Sequence, residues 1–514
     1  MRRSFIYLLG LLCLLNTCVN TQIPGVDMET FDILIHGGTV IDGTANPGIK
    51  ADVLIRDGNI IRVGDIDIST ISVKKIIDAS GKVVTPGFID SHAHGNPIKT
   101  PGFNNFSGMG VTTIVLGQDG SSAEEMSTWM KKVEEARPAI NIATLIGHGT
   151  VRNLSGVKLN PEPSGEDLQK MASMVDNAME VGCFGLSTGL EYQPGSFAKL
   201  EELILVASPV GERAGLILSH TRNEDSDAIK NSIAELVAQG AGAGAKVQIS
   251  HMKVVYGKGE QRAREILNQM EEARNQGVSV TADMYPYLAS YTGIGIVFPS
   301  WAKPPFIYED VVKNRRDELA SYLRNRVNLR NGPQSTLFGT LPWAGKTLQE
   351  ISAELGKPFE DVLIDDIGPN GASAAYFVMD QELQDALFID PHAMVCSDGS
   401  PTMRHPRAYG SFAKVIRYYV RETKMLSLEQ AVHKMTGLPA STIGLVNQNR
   451  GLIKPGFAAD ILVFDPDSVV DKATFENPHL VAEGFDWVLV NGTPIRADGD
   501  YTGDRAGKML RKKP

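Results

Sequence analysis

Two histidines separated by one residue, His92 and His94, end the apolar run GFIDSHAHGN at residues 87–96. Side chains alternate between the two faces of a β-strand, so both imidazoles are expected to point to the same side. Neutral imidazole is a ligand that suits Zn²⁺ and similar divalent ions. The spacing therefore predicts two metal ligands contributed by a single strand.

Other histidines and aspartates also follow apolar runs, and five of the ten histidines lie at such ends. If these runs are parallel strands of one barrel, their carboxyl ends meet at one face, where active sites lie. A divalent ion held there by imidazole and carboxylate groups lowers the pKa of bound water toward ~7. The candidate ligands are His92, His94, His220, His251 and Asp398.

Two further residues, Asp119 and His148, also follow apolar runs. Asp119, in VTTIVLGQDG, is a candidate ligand that could also bridge two ions, but an aspartate in this position also suits a turn that caps the next helix. His148, in NIATLIGHGT, is interpreted as a hydrogen-bond partner of a ligand rather than a ligand itself.

The elements that must position these residues alternate regularly. Short apolar runs rich in β-branched residues are separated by amphipathic stretches such as EDLQKMASMVDNAMEVG, which is typical of parallel strands buried on both faces. Eight such runs predict an α/β fold with a closed (β/α)₈ TIM barrel, although one missed strand would fit an open doubly wound sheet. The runs are 83–94, 111–120, 141–150, 183–192, 215–224, 246–253, 278–287 and 392–399.

About 105 residues separate the seventh and eighth runs, which is too long for one crossover. Residues 292–345 contain a charged helical segment and several Gly and Pro residues. We interpret this segment as an insertion above the barrel mouth that serves as a lid over the active site.

The N-terminus has Arg2 and Arg3 followed by an apolar run from Phe5 to Leu15. The run is too short to span a bilayer and is typical of an export signal, here residues 1–21. Cys18 lies where a bacterial lipoprotein would carry its lipid, but Asn16 and Thr17 match that pattern poorly, so lipid attachment and simple cleavage both stay open. We expect an exported bacterial protein, either periplasmic or anchored as a lipoprotein.

Composition excludes several classes of partner. The net charge is −10 and no basic stripe is present, which argues against nucleic-acid binding. The basic C-terminus KMLRKKP is expected to be a solvated tail. Outside the signal region only Cys183 and Cys396 occur, without paired spacing, so both are expected to be buried, inert thiols.

Several motifs together resemble the amidohydrolase superfamily: FIDSHAH, the histidines of the fifth and sixth runs, and the SDG that contains Asp398. The flanking β segments, 22–82 and 450–505, resemble the divided β-sandwich that accompanies the barrel in that superfamily, which leaves residues 83–449 for the barrel. More narrowly, GLSTGLEYQPG, ISHMK, TADMYPYLAS and CSDGSPTMRHPRAYGSF resemble the N-acyl-D-amino-acid deacylases.

This resemblance implies hydrolysis of the amide bond of an N-acyl-D-amino acid, a small-molecule substrate, with one or two zinc ions. It implies that His220 and His251 hold the tightly bound ion and that His92, His94 and Asp398 form the neighbouring site. Asp398 would act as the catalytic base. Binding of the substrate carboxylate would fall to Arg407, Lys253 and Tyr285.

The chain departs from the family after the second strand, where GQDG places Asp119 at the position of a zinc-ligating cysteine in GNCG. Carboxylate is a harder ligand than thiolate, so the number of ions, the preferred metal and the substrate all stay open. The alternatives are another amidohydrolase reaction, on a cyclic amide or a dipeptide, and a metal-dependent binding protein without catalysis.

Overall fold

The computed structural model describes residues 29–513. The predicted export signal and Cys18 lie outside the described residues. Within 29–513, no helix is both long enough and apolar enough to cross a membrane.

The centre of the molecule is the predicted (β/α)₈ barrel, built from eight parallel strands. The third strand is interrupted at Leu145, so the strands form one sheet of three and one of six. Just beyond the strand ends, Ala93 pairs in parallel with Gly399, which brings the first strand next to the eighth. The strands are Phe88–Asp90, Val111–Leu116, Asn141–Thr144 with Ile146–Gly147, Gly185–Gly189, Leu216–His220, Lys246–Ile249, Val280–Met284 and Ala393–Val395.

Helices cover the outside of the barrel and bury their apolar side against the strands. In Gly165–Glu180, for example, Met171 and Val175 are buried. A reciprocal capping box between Ser164 and Asp167 provides hydrogen-bond partners for backbone N–H groups at the start of this helix. The other helices of the barrel region are Asn104–Gly108, Met126–Ala136, His148–Ser155, Leu200–Glu212, Ile229–Ala243, Gly259–Asn275, Gln381–Phe388, Arg407–Lys414, Leu428–Met435 and Gly437–Ile443, with a π-helix at Val415–Glu422.

Segments toward the two ends of the described residues form a β-sandwich. Apolar side chains from both sheets, including Ile35 and Val463, share one buried cluster. Val83–Pro86 pairs within the sandwich, so the first barrel strand begins at Phe88. One sheet contains Thr30–His36, Asp52–Arg56, Asn59–Gly64 and Ser72–Asp78; the other contains Thr39–Val40, Ile49–Lys50, Val83–Pro86, Ile461–Phe464, Phe485–Val490, Thr493–Ala497 and Asp500–Tyr501.

The segment between the seventh and eighth barrel strands forms a substructure with its own hydrophobic core, which includes Leu319, Val362 and Tyr376. It extends past residue 345, because its antiparallel sheet takes its central strand from Ser373–Phe377. Its role as a lid stays a prediction. The remaining elements are the strands Ala289–Gly293 and Thr336–Phe338 and the helices Tyr308–Leu329, Leu348–Leu355 and Phe359–Val362, with a π-helix at Leu363–Ile367.

The prediction of a solvated C-terminal tail is wrong. Met509 and Leu510 are buried, and the backbone of Leu510 donates a hydrogen bond to the carbonyl of Ile142 in the third barrel strand. The two apolar residues within the basic stretch provide the reason, because they cover an apolar part of the barrel while the charged side chains stay near solvent.

Both cysteines are buried and free, as expected. Burial raises the pKa of Cys183 to about 12 and holds that of Cys396 well above its usual range, so neither is poised for thiolate chemistry.

Candidate metal centre

The first ligand group lies where the first and eighth barrel strands meet. The imidazole rings of His92 and His94 are 5.2 Å apart between centroids. Nε2 of His94 lies 3.1 Å from Oδ1 of Asp398 and 3.5 Å from Oδ2 of Asp119. Each of these four residues offers one ligand atom, and the four atoms lie within 4.8 Å of one another.

The second ligand group uses the fifth and sixth strands. Nδ1 of His220 lies 3.0 Å from Nε2 of His251, and Oδ1 of Asp119 lies 3.4 Å from that same nitrogen. These three residues also bring one ligand atom each within 4.8 Å of the others. Asp119 is common to both groups, so its carboxylate could serve a metal bound at either one.

Three of these residues have the left-handed backbone that non-glycine residues rarely adopt: Asp119 (φ 54°), His251 (φ 36°) and Asp398 (φ 46°). Each lies in the turn after a barrel strand, where the chain must leave the strand direction. Backbone hydrogen bonds hold two of these turns, from His251 N to Oδ1 of Asp283 (2.6 Å) and from Asp398 N to the carbonyl of His92 (2.9 Å). Such strain is typical of positions where a side chain must be aimed at a site.

The donor set fits a divalent cation. Both ring nitrogens of His92 and Oδ1 of Asp119 are buried and lack a hydrogen-bond partner within residues 29–513. Burial raises the pKa of Asp119. The surrounding histidines, His92 first, lower it by more, so the pKa lies well below its usual range. An ionised carboxylate beside unpaired imidazoles in a buried site is what a nitrogen- and oxygen-ligated metal such as zinc requires.

Two glutamates that were not predicted from the sequence, Glu191 and Glu224, contact the ligand histidines His220 and His251. Oε2 of Glu191 lies 3.0 Å from Nε2 of His220, and Oε1 of Glu224 lies 3.2 Å from Nδ1 of His251. Carboxylates in this position fix the tautomer and ring orientation of metal-binding histidines. A signal was present, since each glutamate lies in the loop directly after a barrel strand, in GLEY and TRNE.

Lys253 lies beside the second ligand group, and its ammonium group is hydrogen-bonded within the protein. Its Nζ donates to Oε1 of Glu224 (2.6 Å) and to the carbonyl of His251 (3.1 Å). Burial lowers the pKa of Lys253, but Glu224, Tyr285 and Asp398 together raise it above its usual range, so the lysine stays charged. In this arrangement Lys253 supports the metal ligands as well as facing the cavity.

Arg407 and Tyr285 lie on the side of the first ligand group. Nη2 of Arg407 pairs with Oδ2 of Asp398 (2.8 Å), and its guanidinium lies 4.5 Å from the centre of the Tyr285 ring. Nε and Nη1 of Arg407 and the hydroxyl of Tyr285 are buried and have no partner in the described part of the chain. Arg407 and Tyr285 line the same cavity of about 260 Å³ as the candidate ligands other than His92, so an anionic group bound there would satisfy these donors.

His148 does not belong to either ligand group. Its Nε2 lies 2.9 Å from Oε1 of Glu202, which also accepts from Arg152 (2.6 Å). The interpretation of His148 as a partner of a metal ligand is therefore wrong, because its only side-chain partner in the described residues is Glu202, which belongs to neither ligand group.

Comparison with known proteins agrees with this geometry. The sequence matches the amidohydrolase family over residues 75–294 and 357–496. The chain belongs to the amidohydrolase family. This amidohydrolase is 34% identical to the N-acyl-D-glutamate deacylase of Alcaligenes xylosoxydans xylosoxydans, over 94% of this chain and 97% of the relative.

Two solved structures resemble the amidohydrolase closely, each with 33% identity over 94% of this chain and 100% of the other. One is a D-aminoacylase (TM-score 0.80) described with a binuclear metal centre that one metal activates and a second attenuates. The other is the N-acyl-D-glutamate deacylase of Bordetella bronchiseptica (TM-score 0.79), complexed with zinc and a phosphonate mimic of the tetrahedral intermediate. The predicted resemblance is confirmed, and the chain is a metal-dependent amidohydrolase.

Proposed function

We propose that this amidohydrolase cleaves N-acyl-D-amino acids to a D-amino acid and a carboxylate, with zinc as its metal. The observation that carries the proposal is the placement of two ligand groups, which share Asp119, in one cavity with the unpaired donors of Arg407 and Tyr285. A scissile amide at the ligands and a carboxylate at Arg407 are the two groups that an N-acyl amino acid offers. The names and structures of the relatives support the same substrate class.

Zinc at this site would polarise the amide carbonyl and lower the pKa of the attacking water. His220, His251 and Asp119 would hold one ion, and His92, His94, Asp119 and Asp398 would hold a second when two are bound. The zinc complex of one relative and the binuclear centre of another support this assignment.

Asp398 is placed to move the proton. Burial raises the pKa of this carboxyl, but Arg407 and the neighbouring histidines lower it by more, so Asp398 stays ionised and able to accept a proton. It would take the proton from the water and deliver it to the leaving nitrogen. Arg407 would hold both the Asp398 carboxylate and the α-carboxylate of the substrate, which ties substrate orientation to the position of the base.

Export is part of the proposal and rests on Arg2, Arg3 and the apolar run that follows them. Lipid attachment at Cys18 and release into the periplasm are both compatible with that segment.

The test is a chiral substrate panel on purified protein whose metal has been removed and then restored as zinc. We expect hydrolysis of N-acetyl-D-amino acids with zinc, little hydrolysis of the L-enantiomers, and no turnover after chelation. Faster hydrolysis of hydantoins or of unblocked dipeptides would contradict the proposal, as would ligand binding without turnover at every metal loading.

A further inference from the structure

A second buried arginine faces the catalytic cavity and has no role in the chemistry described above. Arg330 follows the helix Tyr308–Leu329 of the insertion, is only 2% exposed, and lines the 260 Å³ cavity together with Arg407. Within residues 29–513 its Nε is buried without a hydrogen-bond partner, and its Nη1 has only a long contact of 3.7 Å to Asp225. Buried guanidinium groups are normally paired, so this one has unused binding capacity.

The charges around Arg330 do not balance it. The nearest carboxylate, Asp225, lies 3.7 Å away and is already bonded to Arg326 through both oxygens (2.5 and 3.3 Å). Asp225 therefore serves two guanidinium groups. Glu191 adds a longer-range attraction to Arg330, but it is itself paired with His220 (3.0 Å). The ring of Tyr376, 5.1 Å from Arg330, contributes only a cation–π contact.

The position of Arg330 separates it from the chemistry that the family shares. It lies between the two ranges over which the sequence matches the amidohydrolase family, 75–294 and 357–496. A residue there is suited to substrate preference rather than to the common hydrolytic step.

The cavities also indicate which part of a substrate would meet Arg330. A second opening of about 710 Å³ reaches the site past His94 and Asp119, and neither Arg330 nor Arg407 lines it. The acyl group of a bound substrate would extend from the candidate ligands into that opening. In an amino acid, the α-carboxylate and the side chain are attached to the same carbon atom. If Arg407 binds the α-carboxylate, the side chain therefore lies in the smaller cavity, which Arg330 also lines.

We propose that Arg330 binds a second carboxylate on the amino-acid side of the substrate, so that the preferred substrates are N-acyl derivatives of D-aspartate or D-glutamate. This inference rests on the proposed deacylase function. A charge-assisted pair between guanidinium and carboxylate changes affinity by roughly 10- to 100-fold.

The experiment compares N-acetyl-D-glutamate with N-acetyl-D-glutamine, which has nearly the same shape and no charge, in wild type and Arg330→Gln. We expect wild type to prefer the acid. In Arg330→Gln, kcat/KM for the acid should fall by about 10- to 100-fold, with little change for the amide. Arg330→Lys should recover part of the preference, because it keeps the charge but loses the fork geometry.

Arg315→Gln is the matched control, because it removes a partly exposed guanidinium, paired with Glu318, from the helix that precedes Arg330 without touching the cavity or Asp225. It should keep the wild-type preference. Equal losses on both substrates in Arg330→Gln, or the same selective loss in Arg315→Gln, would overturn the proposal. An Arg330 dependence for N-succinyl-D-leucine, whose extra carboxylate is on the acyl side, would also overturn it.

Wild type alone gives a second test that does not depend on a folded variant. D-Glutamate should inhibit at least about tenfold more strongly than D-glutamine. Hydrolysis of neutral N-acetyl-D-amino acids without any preference for the acid would refute the role of Arg330 and leave the deacylase function standing. No hydrolysis of any N-acyl-D-amino acid would refute both.

Discussion

Oδ2 of Asp398 lies 2.8 Å from Nη2 of Arg407, and both side chains are buried at the barrel mouth. The residue proposed to move the proton and the residue proposed to bind the substrate carboxylate are therefore one ion pair. A change at either residue should affect the other, since a buried charge that loses its partner is costly.

Replacing Asp398 by Asn should leave most of the metal bound, because His220, His251 and Asp119 form a ligand group without it. Turnover should fall by at least ~10³, the scale of losing a general base and its orientation of water. Single-turnover rates and metal content on the same sample measure this. Turnover close to wild type at full metal loading would show that Asp398 does not move the proton.

Arg407→Lys tests the carboxylate-binding role. Lysine keeps the positive charge but offers no planar fork, so KM for N-acetyl-D-amino acids should rise. The amidated forms of the same substrates are the control, and their KM should change little. A similar rise in KM for both sets would mean that Arg407 acts through Asp398 alone.

Asp119→Asn tests the shared carboxylate. Removing its charge affects both ligand groups, so the metal content per chain should fall at either site, whereas Asp119→Cys should retain metal because thiolate is a strong zinc ligand. Elemental analysis after dialysis gives the stoichiometry. An unchanged metal content in Asp119→Asn would assign this residue to the turn and not to the metal.

Glu191→Gln tests the carboxylate behind His220. Loss of this kind of partner costs about 10- to 100-fold in metal affinity. Competition with a fluorescent chelator measures the affinity directly. Glu201→Gln, on an exposed position of the helix Leu200–Glu212, is the control and should bind metal like wild type. Equal affinities for the two variants would contradict the role of Glu191.

The buried trio of His148, Arg152 and Glu202 predicts an acid-sensitive contribution to stability. Burial raises the pKa of Glu202, but His148 and Arg152 lower it by more, so it lies below its ordinary value of 4.5 in the folded protein. A depressed folded-state pKa stabilises the protein above pH 4.5, and this contribution is lost as the pH falls through the folded-state value.

Glu202→Gln should therefore lower the free energy of unfolding by roughly 3–5 kcal/mol at neutral pH, because it leaves Arg152 buried without its partner. The difference from wild type should shrink as the pH falls below 4.5. Urea unfolding at several pH values measures it, and metal content should stay unchanged. A difference that is constant across this pH range would contradict the assignment.

The sequence by itself determined the barrel and most of the metal centre. Apolar runs and strand alternation are local features, so they located His92, His94, His220, His251 and Asp398 at strand ends. Because parallel strands place their carboxyl ends at one face, local position was enough to predict that these residues converge.

The tertiary structure decided which charged groups pair across that face. The sequence allows Asp119 as a ligand or as a turn residue, and only the fold brings its carboxylate within reach of both ligand groups. Glu191, Glu224 and Arg330 were not among the residues that the sequence patterns marked. Their partners lie on other strands or in the insertion, far along the chain. Pairing between distant charges depends on burial and on distances of a few ångströms, and neither quantity is encoded in the spacing of residues along one segment.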